Sequence, residues 1–191
     1  MSDRLLGTLE ESLLAILDLL DDHRPRTWDA GERLMVDRTR AFVVAHPDCL
    51  RRTCLTGHLT ASAWIVDPAR GRALLTHHAI LDRWFQLGGH ADGQADLAAA
   101  ALREATEESG LTRLHLVSPA LFDLDRHWIP ARRLEPGHWH HDFRFLVEAD
   151  PNEPLVVSSE SKDLAWLGLD EILQRNSSAS ITRMVERTRG R

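Results

Sequence analysis

Two adjacent glycines, Gly88 and Gly89, precede a stretch that reads Leu-Ala-Ala-Ala-Ala-Leu-Arg-Glu-Ala-Thr-Glu-Glu-Ser over residues 97–109. Alanine, leucine, arginine and glutamate all favour the helix. Asp96 stands where an N-cap is needed and Gly110 where a left-handed C-terminal stop is needed. The spacing predicts a helix over 97–109 with Leu97, Ala101, Leu102 and Ala105 turned inward. Glu104, Glu107 and Glu108 then fall at i, i+3 and i+4 and leave the helix on one side. Like charges so placed cost on the order of 0.2–0.5 kcal/mol per pair when exposed, and more when partly buried. A hard divalent cation with a preference for oxygen, magnesium or manganese, is the natural compensation; a solvated acidic face is the alternative.

The rest of the chain sets limits on what that helix serves. With 191 residues, one well-buried domain with an appendage is expected rather than two domains. A net charge of −6 gives no electrostatic footprint for duplex nucleic acid or an anionic membrane. Free nucleotides remain possible substrates, because a metal ion neutralises phosphate without a basic surface. No apolar run approaches a membrane span, and Asp3, Glu10 and Glu11 interrupt the N-terminal leucines, so neither a span nor a signal peptide is expected and the cytoplasm is the expected location. Cys49 and Cys54 could join His46 and His58 around zinc, but their spacing matches no compact finger, and free thiols are the expectation.

Leu6, Leu9, Leu13, Ile16, Leu17 and Leu20 recur at helical intervals and predict an amphipathic helix over 3–21. A second helix is expected over roughly 30–46, with Leu34, Phe42 and Val43 inward. This pair could cap the core, form a dimer interface, cover a substrate mouth or simply pack. From Leu59 to Val66 the pattern changes to a strand, followed by the turn Asp67-Pro68-Ala69-Arg70-Gly71 and a partner strand to His77. Apolar runs at 113–124, 142–149 and 163–167 read as further strands, and 169–175 and 178–189 as closing helices.

Gly89 followed by Arg103-Glu104-Ala105-Thr106-Glu107-Glu108-Ser109-Gly110-Leu111 resembles the box of the Nudix hydrolase family: Gly, five residues, Glu, seven residues, then Arg-Glu-apolar-x-Glu-Glu-x-Gly-apolar. The chain departs from it at the first acid, where Ala95 stands with Asp92 and Asp96 nearby, and at the residue before the glycines, Leu87, where a proline is usual. The resemblance implies an α/β protein, an α/β/α sandwich with a mixed sheet spanning 51–191, preceded by the helical extension of 1–50. It implies hydrolysis of a diphosphate linkage in a small, nucleotide-derived substrate, with Mg2+ or Mn2+ as cofactor. It places Glu107 and Glu108 as metal ligands, Glu104 as a ligand or as the base that orients water, and a backbone carbonyl of Gly88 or Gly89 as a further ligand. Arg103 would hold the cluster's geometry and keep the acids ionised. The family often adds an acid from outside the box. Glu160 is the best-placed residue for this, ahead of Asp123 and Asp125.

A second concentration of polar chemistry is His127-Trp128 and then His138-Trp139-His140-His141-Asp142. On a strand, His138, His140 and Asp142 share a face. They could contact substrate, act as acids or bind a transition metal. His90 stands directly after Gly89 and could join them; Trp84, Trp128 and Trp139 could stack on a nucleobase or be core. Two other functional classes compete with the hydrolase: a nucleotide-binding module that has lost turnover, to which Ala95 lends weight, and a histidine-centred metal protein. An isomerase of the same fold would need an active-site cysteine, and neither Cys49 nor Cys54 has such a context.

Overall fold

The computed structural model describes residues 2–132, 135–159 and 161–190, with side chains from residue 10 onward. The expected inward positions Leu6 and Leu9, and Glu160, lie outside what is described. The elements run α1 (Ser2–His23), α2 (Ala30–Ala45), β1 (Gly57–Val66), β2 (Arg72–His78), β3 (Trp84–Phe85), β4 (Leu87–His90), α3 (Leu97–Ser109), β5 (His115–Leu116), β6 (Asp123–Ile129), β7 (His138–Glu148), β8 (Ser161–Gly168), α4 (Leu169–Arg175) and α5 (Ala179–Thr188). No helix among the described residues is long and apolar enough to cross a membrane.

One mixed sheet organises the molecule. β1 and β7 run parallel at its centre, from Gly57 opposite Trp139 to Val66 opposite Glu148. The far edge of β1 is shared by β4, paired through Thr60–Ala63, and by β2 at Ile65 and Val66; β2 in turn carries β3 and β8. The far edge of β7 is shared by β6 and β5. Every residue of β1 is buried, as a central strand covered on both faces requires.

The two faces have different covers. Leu59, Ala61, Phe143 and Phe145 meet Ile16 and Leu20 of α1, Val36 and Val43 of α2 and Leu97, Ala100 and Ala101 of α3 in one apolar cluster. On the other face, Trp64, Val66 and Leu146 meet Ile172 of α4 and Ile181, Met184 and Val185 of α5. The result is the expected α/β/α sandwich, and the N-terminal pair packs on the sheet beside α3. The α4–α5 layer covers only half of its face. Beyond it, β1, β7 and β6 present polar residues in transverse rows: His58, His140 and His127; Thr60, Asp142 and Asp125; Ser62, Arg144 and Asp123.

These rows are held by ion pairing. Arg144 donates from Nε to Asp142 at 2.7 Å, from Nη1 to Asp123 at 3.1 Å and from Nη2 to Asp125 at 3.3 Å. Asp123 also accepts from Arg183 of α5, whose Nη2 lies 3.0 Å away. At the rim of the same network Glu32 of α2 accepts from the Trp28 amide, from Arg187 of α5 at 2.6 Å and from the Leu124 amide at 3.3 Å, and pairs with His23 at 2.8 Å. Glu32 thus ties α2, β6 and α5 together.

Two expectations change. The run 113–124 is not one strand: it gives β5 and the start of β6, because Pro119 cannot donate to the ladder. Val117 and Phe122 still bond to β7 on either side of the break. Leu34 is 49% exposed, and α2 buries Glu32, Val36, Thr39 and Val43 instead. Its inward stripe contains an acid, which apolar periodicity passes over.

Burial pushes the Glu32 carboxyl up, but His23, the Trp28 amide and Arg187 outweigh it and hold it at about 2, against 4.5 unperturbed. Between those values the unfolded chain binds more protons than the folded one, so Glu32's stabilisation is intact above 4.5 and is lost as pH falls towards 2. Glu32→Gln should therefore destabilise the protein at pH 7 by about 3 kcal/mol, since it also strands buried arginine charge. In urea unfolding series from pH 7 to pH 3, the gap between wild type and variant should narrow only below about pH 5.

Candidate active site

The helix carrying the acids forms as its sequence dictates. The Asp96 side chain accepts from the Ala99 amide at 2.9 Å, and Gly110 closes the helix with φ 73°. α3 lies against β1 and β4; the absence of a side chain on Gly89 lets Glu104 reach the strand backbone, and that on Gly88 lets β4 approach β1 closely. A Cβ at Gly89 would collide with the Glu104 carboxylate, and one at Gly88 would collide with Ser62 and the Ala61 carbonyl. The Gly88 amide donates to Glu108 Oε2 at 2.9 Å. Arg103 donates from Nη1 to Glu104 at 2.7 Å and from Nη2 to the His90 carbonyl at 3.1 Å, so it locks the helix to the end of β4. Its contact with Glu107 is longer, 3.4 Å, and the Glu107 side chain is 59% exposed.

Burial raises the Glu104 carboxyl above its ordinary value, and the neighbouring Arg103 opposes this without reversing it. The expectation that Arg103 keeps the acids ionised is thus modified at Glu104, where burial outweighs it. A desolvated carboxylate is one that gains most from a cation. Glu104, Glu107 and Glu108 do not close into a tight cage: among the described residues the one convergent ligand set lies elsewhere, at His58, His138 and His140. Magnesium needs no such cage, because it keeps several waters and takes one or two carboxylates plus substrate phosphate. The hard oxygen donors of Glu104 and Glu108, fixed by Arg103 and the Gly88 amide, fit an ion of that kind.

Beside this set opens a cleft of about 570 Å³ whose floor is the polar half of the sheet. Gly88, Gly89, His90 and Glu108 line one side, His127 and His140 another, with Trp128 and Phe85 among the apolar walls. Trp128 is 51% exposed. The lining arginines are Arg132 and Arg144, and Arg144 is already surrounded by carboxylates. Arg132 apart, the cleft therefore offers a phosphate chain little cationic charge of its own.

The remaining candidates are distributed unequally. His90, His127 and His140 line the cleft; His138 is buried behind it. Asp142 is a floor residue with its acceptors committed to Arg144, Ser62 at 2.7 Å, Thr60 at 3.1 Å and Gln86 at 3.1 Å. Asp125 is held well below the usual carboxylate range: burial raises it, but the Arg144 charge and His127 more than compensate. Asp123 is fully enclosed between Arg144 and Arg183. Trp84 lies away from the cleft, 9% exposed in the apolar cluster under α4 and α5 and stacked on His77. Trp139 lies under the Arg126 guanidinium, 3.4 Å from the ring centroid. Cys49 and Cys54 are both buried and free.

Burial and neighbouring positive charge lower His90 to about 4 and His140 to about 2, so both rings are neutral near pH 7. His58 is the residue that sequence reasoning did not group with the others. It sits opposite His140 across the parallel β1–β7 pair, with its Nε2 3.2 Å from that of His140. Only the pairing of strands 82 residues apart reveals it.

The NUDIX domain family model matches residues 56–187. Among solved structures, the fold is shared with a Caenorhabditis elegans Ap4A hydrolase binary complex, at 18% identity over 69% of this chain and 95% of that one, with a TM-score of 0.54. It is shared likewise with the Escherichia coli dihydroneopterin triphosphate pyrophosphohydrolase, at 16% identity over 68% and 92%, TM-score 0.55. A NUDIX-family hydrolase from Clostridium perfringens is 24% identical over 69% and 96%, TM-score 0.53. No curated protein sequence matches the chain. The family match takes in the glycine strand, the acidic helix and all three strands of the polar floor, and on that ground the chain belongs to the NUDIX family of hydrolases.

Proposed function

We propose that the protein is a divalent-metal-dependent pyrophosphohydrolase that cleaves the diphosphate linkage of a nucleoside diphosphate joined to another moiety. The observation that carries this reading is the meeting of Glu104 and Glu108 with the side-chain-free strand Gly88-Gly89 at the edge of a cleft poor in free cationic charge. Phosphate entering such a cleft must bring or find its counter-charge, and the glutamates are what would hold it.

Magnesium or manganese, when bound, supplies charge neutralisation and a water acidified enough to attack phosphorus. The chain's own residues prepare for this. Glu104, Glu107, Glu108 and a carbonyl of Gly88 or Gly89 are the oxygen ligands available, and Glu104, the desolvated one, is also the group suited to orient and deprotonate water. Arg103 is a positioning residue that fixes Glu104 from one side and the end of β4 from the other. The neutral rings of His90 and His140 and the partly exposed His127 line the cleft, which supports a role for them in contacting substrate from the sheet floor. Trp128, rather than Trp84, offers an exposed ring at the cleft for a base.

Ala95 bears on the alternative of a binding module without turnover. It packs against the apolar cluster around Leu97 and Ala101, while Arg103, Glu104 and Glu108 retain a tied geometry that a pure binder has no need to keep.

A screen of nucleoside triphosphates, nucleotide sugars, ADP-ribose, dinucleoside polyphosphates and NADH with Mg2+ or Mn2+, scored by chromatographic detection of the phosphomonoester products, should give metal-dependent turnover of at least one class. Binding of such compounds without turnover would favour the binding module. Glu107→Gln and Glu108→Gln should each lower turnover at least about a hundredfold, roughly 2.7 kcal/mol of barrier, with unchanged circular dichroism. Wild-type rates in both variants would refute the metal assignment. Gly89→Ala should displace the Glu104 carboxylate and cost turnover on a similar scale, about a hundredfold, while thermal unfolding shows the chain still folded.

A further inference from the structure

His140 and the two histidines behind it form an arrangement that the hydrolytic reading, which uses only the His140 ring at the cleft, does not explain. His58 on β1 and His138 and His140 on β7 aim their Nε2 atoms at one another: 3.2 Å separates His58 from His140, and 3.1 Å separates His138 from His140. His58 and His138 are buried, and His140 is partly exposed on the cleft wall. All three ligand atoms lie within 4.8 Å of one another.

Hydrogen bonding among neutral rings does not account for this contact. The Nδ1 atom of His138 lies 2.9 Å from the Pro136 carbonyl, which only accepts, so that nitrogen carries the ring's proton and Nε2 presents a lone pair. The Nε2 atom of His140 has a single position for either a proton or a lone pair, yet it faces two partners. With a proton it serves His138 and leaves His58 unsatisfied; without one it meets His138 lone pair against lone pair. A cation at the meeting point satisfies all three nitrogens. Two of the three spacings, 3.2 and 3.1 Å, agree: zinc–nitrogen bonds of about 2.0–2.1 Å at tetrahedral angles put ligand nitrogens about 3.3 Å apart. The Pro136 carbonyl on His138 is the kind of outer partner that fixes the tautomer of a metal-bound histidine.

We propose that His58, His138 and His140 bind one transition-metal ion of the zinc class, distinct from the ion held by the glutamates. The donor set is all imidazole, which suits zinc, copper, iron or nickel and not magnesium or manganese. Three protein ligands leave a fourth position, as in sites whose metal meets an exchangeable ligand. His90, whose ring centroid lies 4.9 Å from that of His58 and 5.0 Å from that of His140, is the nearest further donor, and it also lines the cleft. The site is independent of the glutamate set, so either can fail alone.

The test uses full-length protein stripped with a chelator, confirmed folded by circular dichroism, and titrated with Co2+ and then with Zn2+ alone. One equivalent of Co2+ should bind with the visible absorption of a nitrogen-ligated, four- or five-coordinate ion, and Zn2+ should displace it. The signal should persist in Glu104→Gln and Glu108→Gln. His138→Asn and His140→Asn should each weaken Co2+ binding at least about a hundredfold, as loss of a direct ligand demands. Folded wild-type protein that gives no such spectrum, or undiminished binding in either histidine variant, would overturn the proposal. If His138→Asn does not fold, the more exposed His140→Asn and the wild-type spectrum decide the matter.

Discussion

A guanidinium enclosed by carboxylates is the interaction on which the rest of this structure depends. Arg144 sits where the sheet's polar half meets its apolar half, and its three Asp partners come from β6 and β7. Arg183 of α5 closes the network on Asp123, and Thr60 and Ser62 of β1 reach it through Asp142. A charge in so dry a place costs several kcal/mol unless it is paired in good geometry, and removing one partner costs about 3–5 kcal/mol. The cleft floor is thus a polar lattice in place of an oily core. It keeps three strands and a helix in register without an apolar side chain that would fill the space above them.

That lattice also determines the charge character of the cleft. Arg144 could have served as a phosphate clamp, but its donors are spent on Asp142, Asp123 and Asp125. The neighbouring imidazoles are driven neutral by burial. What remains besides Arg132 is an acidic rim at Glu104 and Glu108, the first brought to the β4 backbone because Gly89 has no side chain in the way and the second held by the Gly88 amide. The molecule concentrates its acidic oxygens at one edge of the cleft and its imidazole nitrogens at another.

Local chemistry was legible in the sequence and long-range pairing was not. The helix over 97–109 has its bounds, its Asp96 cap and its Gly110 stop where composition puts them, because each is decided within a few residues. The common face of His138, His140 and Asp142 also follows from strand periodicity alone. The partnership of His58 with His140 does not, since it requires β1 to lie parallel to β7. Glu32 was invisible for another reason: apolar periodicity treats a carboxylate as a surface residue, and here His23, Arg187 and the Trp28 amide make it an interior one. Trp84 and Trp128 show the same limit in reverse, since identical side chains take opposite roles according to whether α4 and α5 cover them.

The parallel union of β1 and β7 carries a consequence for how the protein comes into being. Its ends lie 82 residues apart in the chain, and every row of the floor needs both strands. Closing so long a loop costs entropy before any contact rewards it, so folding of this topology is slow compared with that of its helices. α3 can acquire its shape early from local preferences, yet the cleft beside it has no existence until that long-range pairing is made. Hydrolytic competence is therefore a property of the finished molecule alone, and a nascent chain that has not yet reached β7 can set the acids of the helix beside the glycine strand but has no cleft floor across from them.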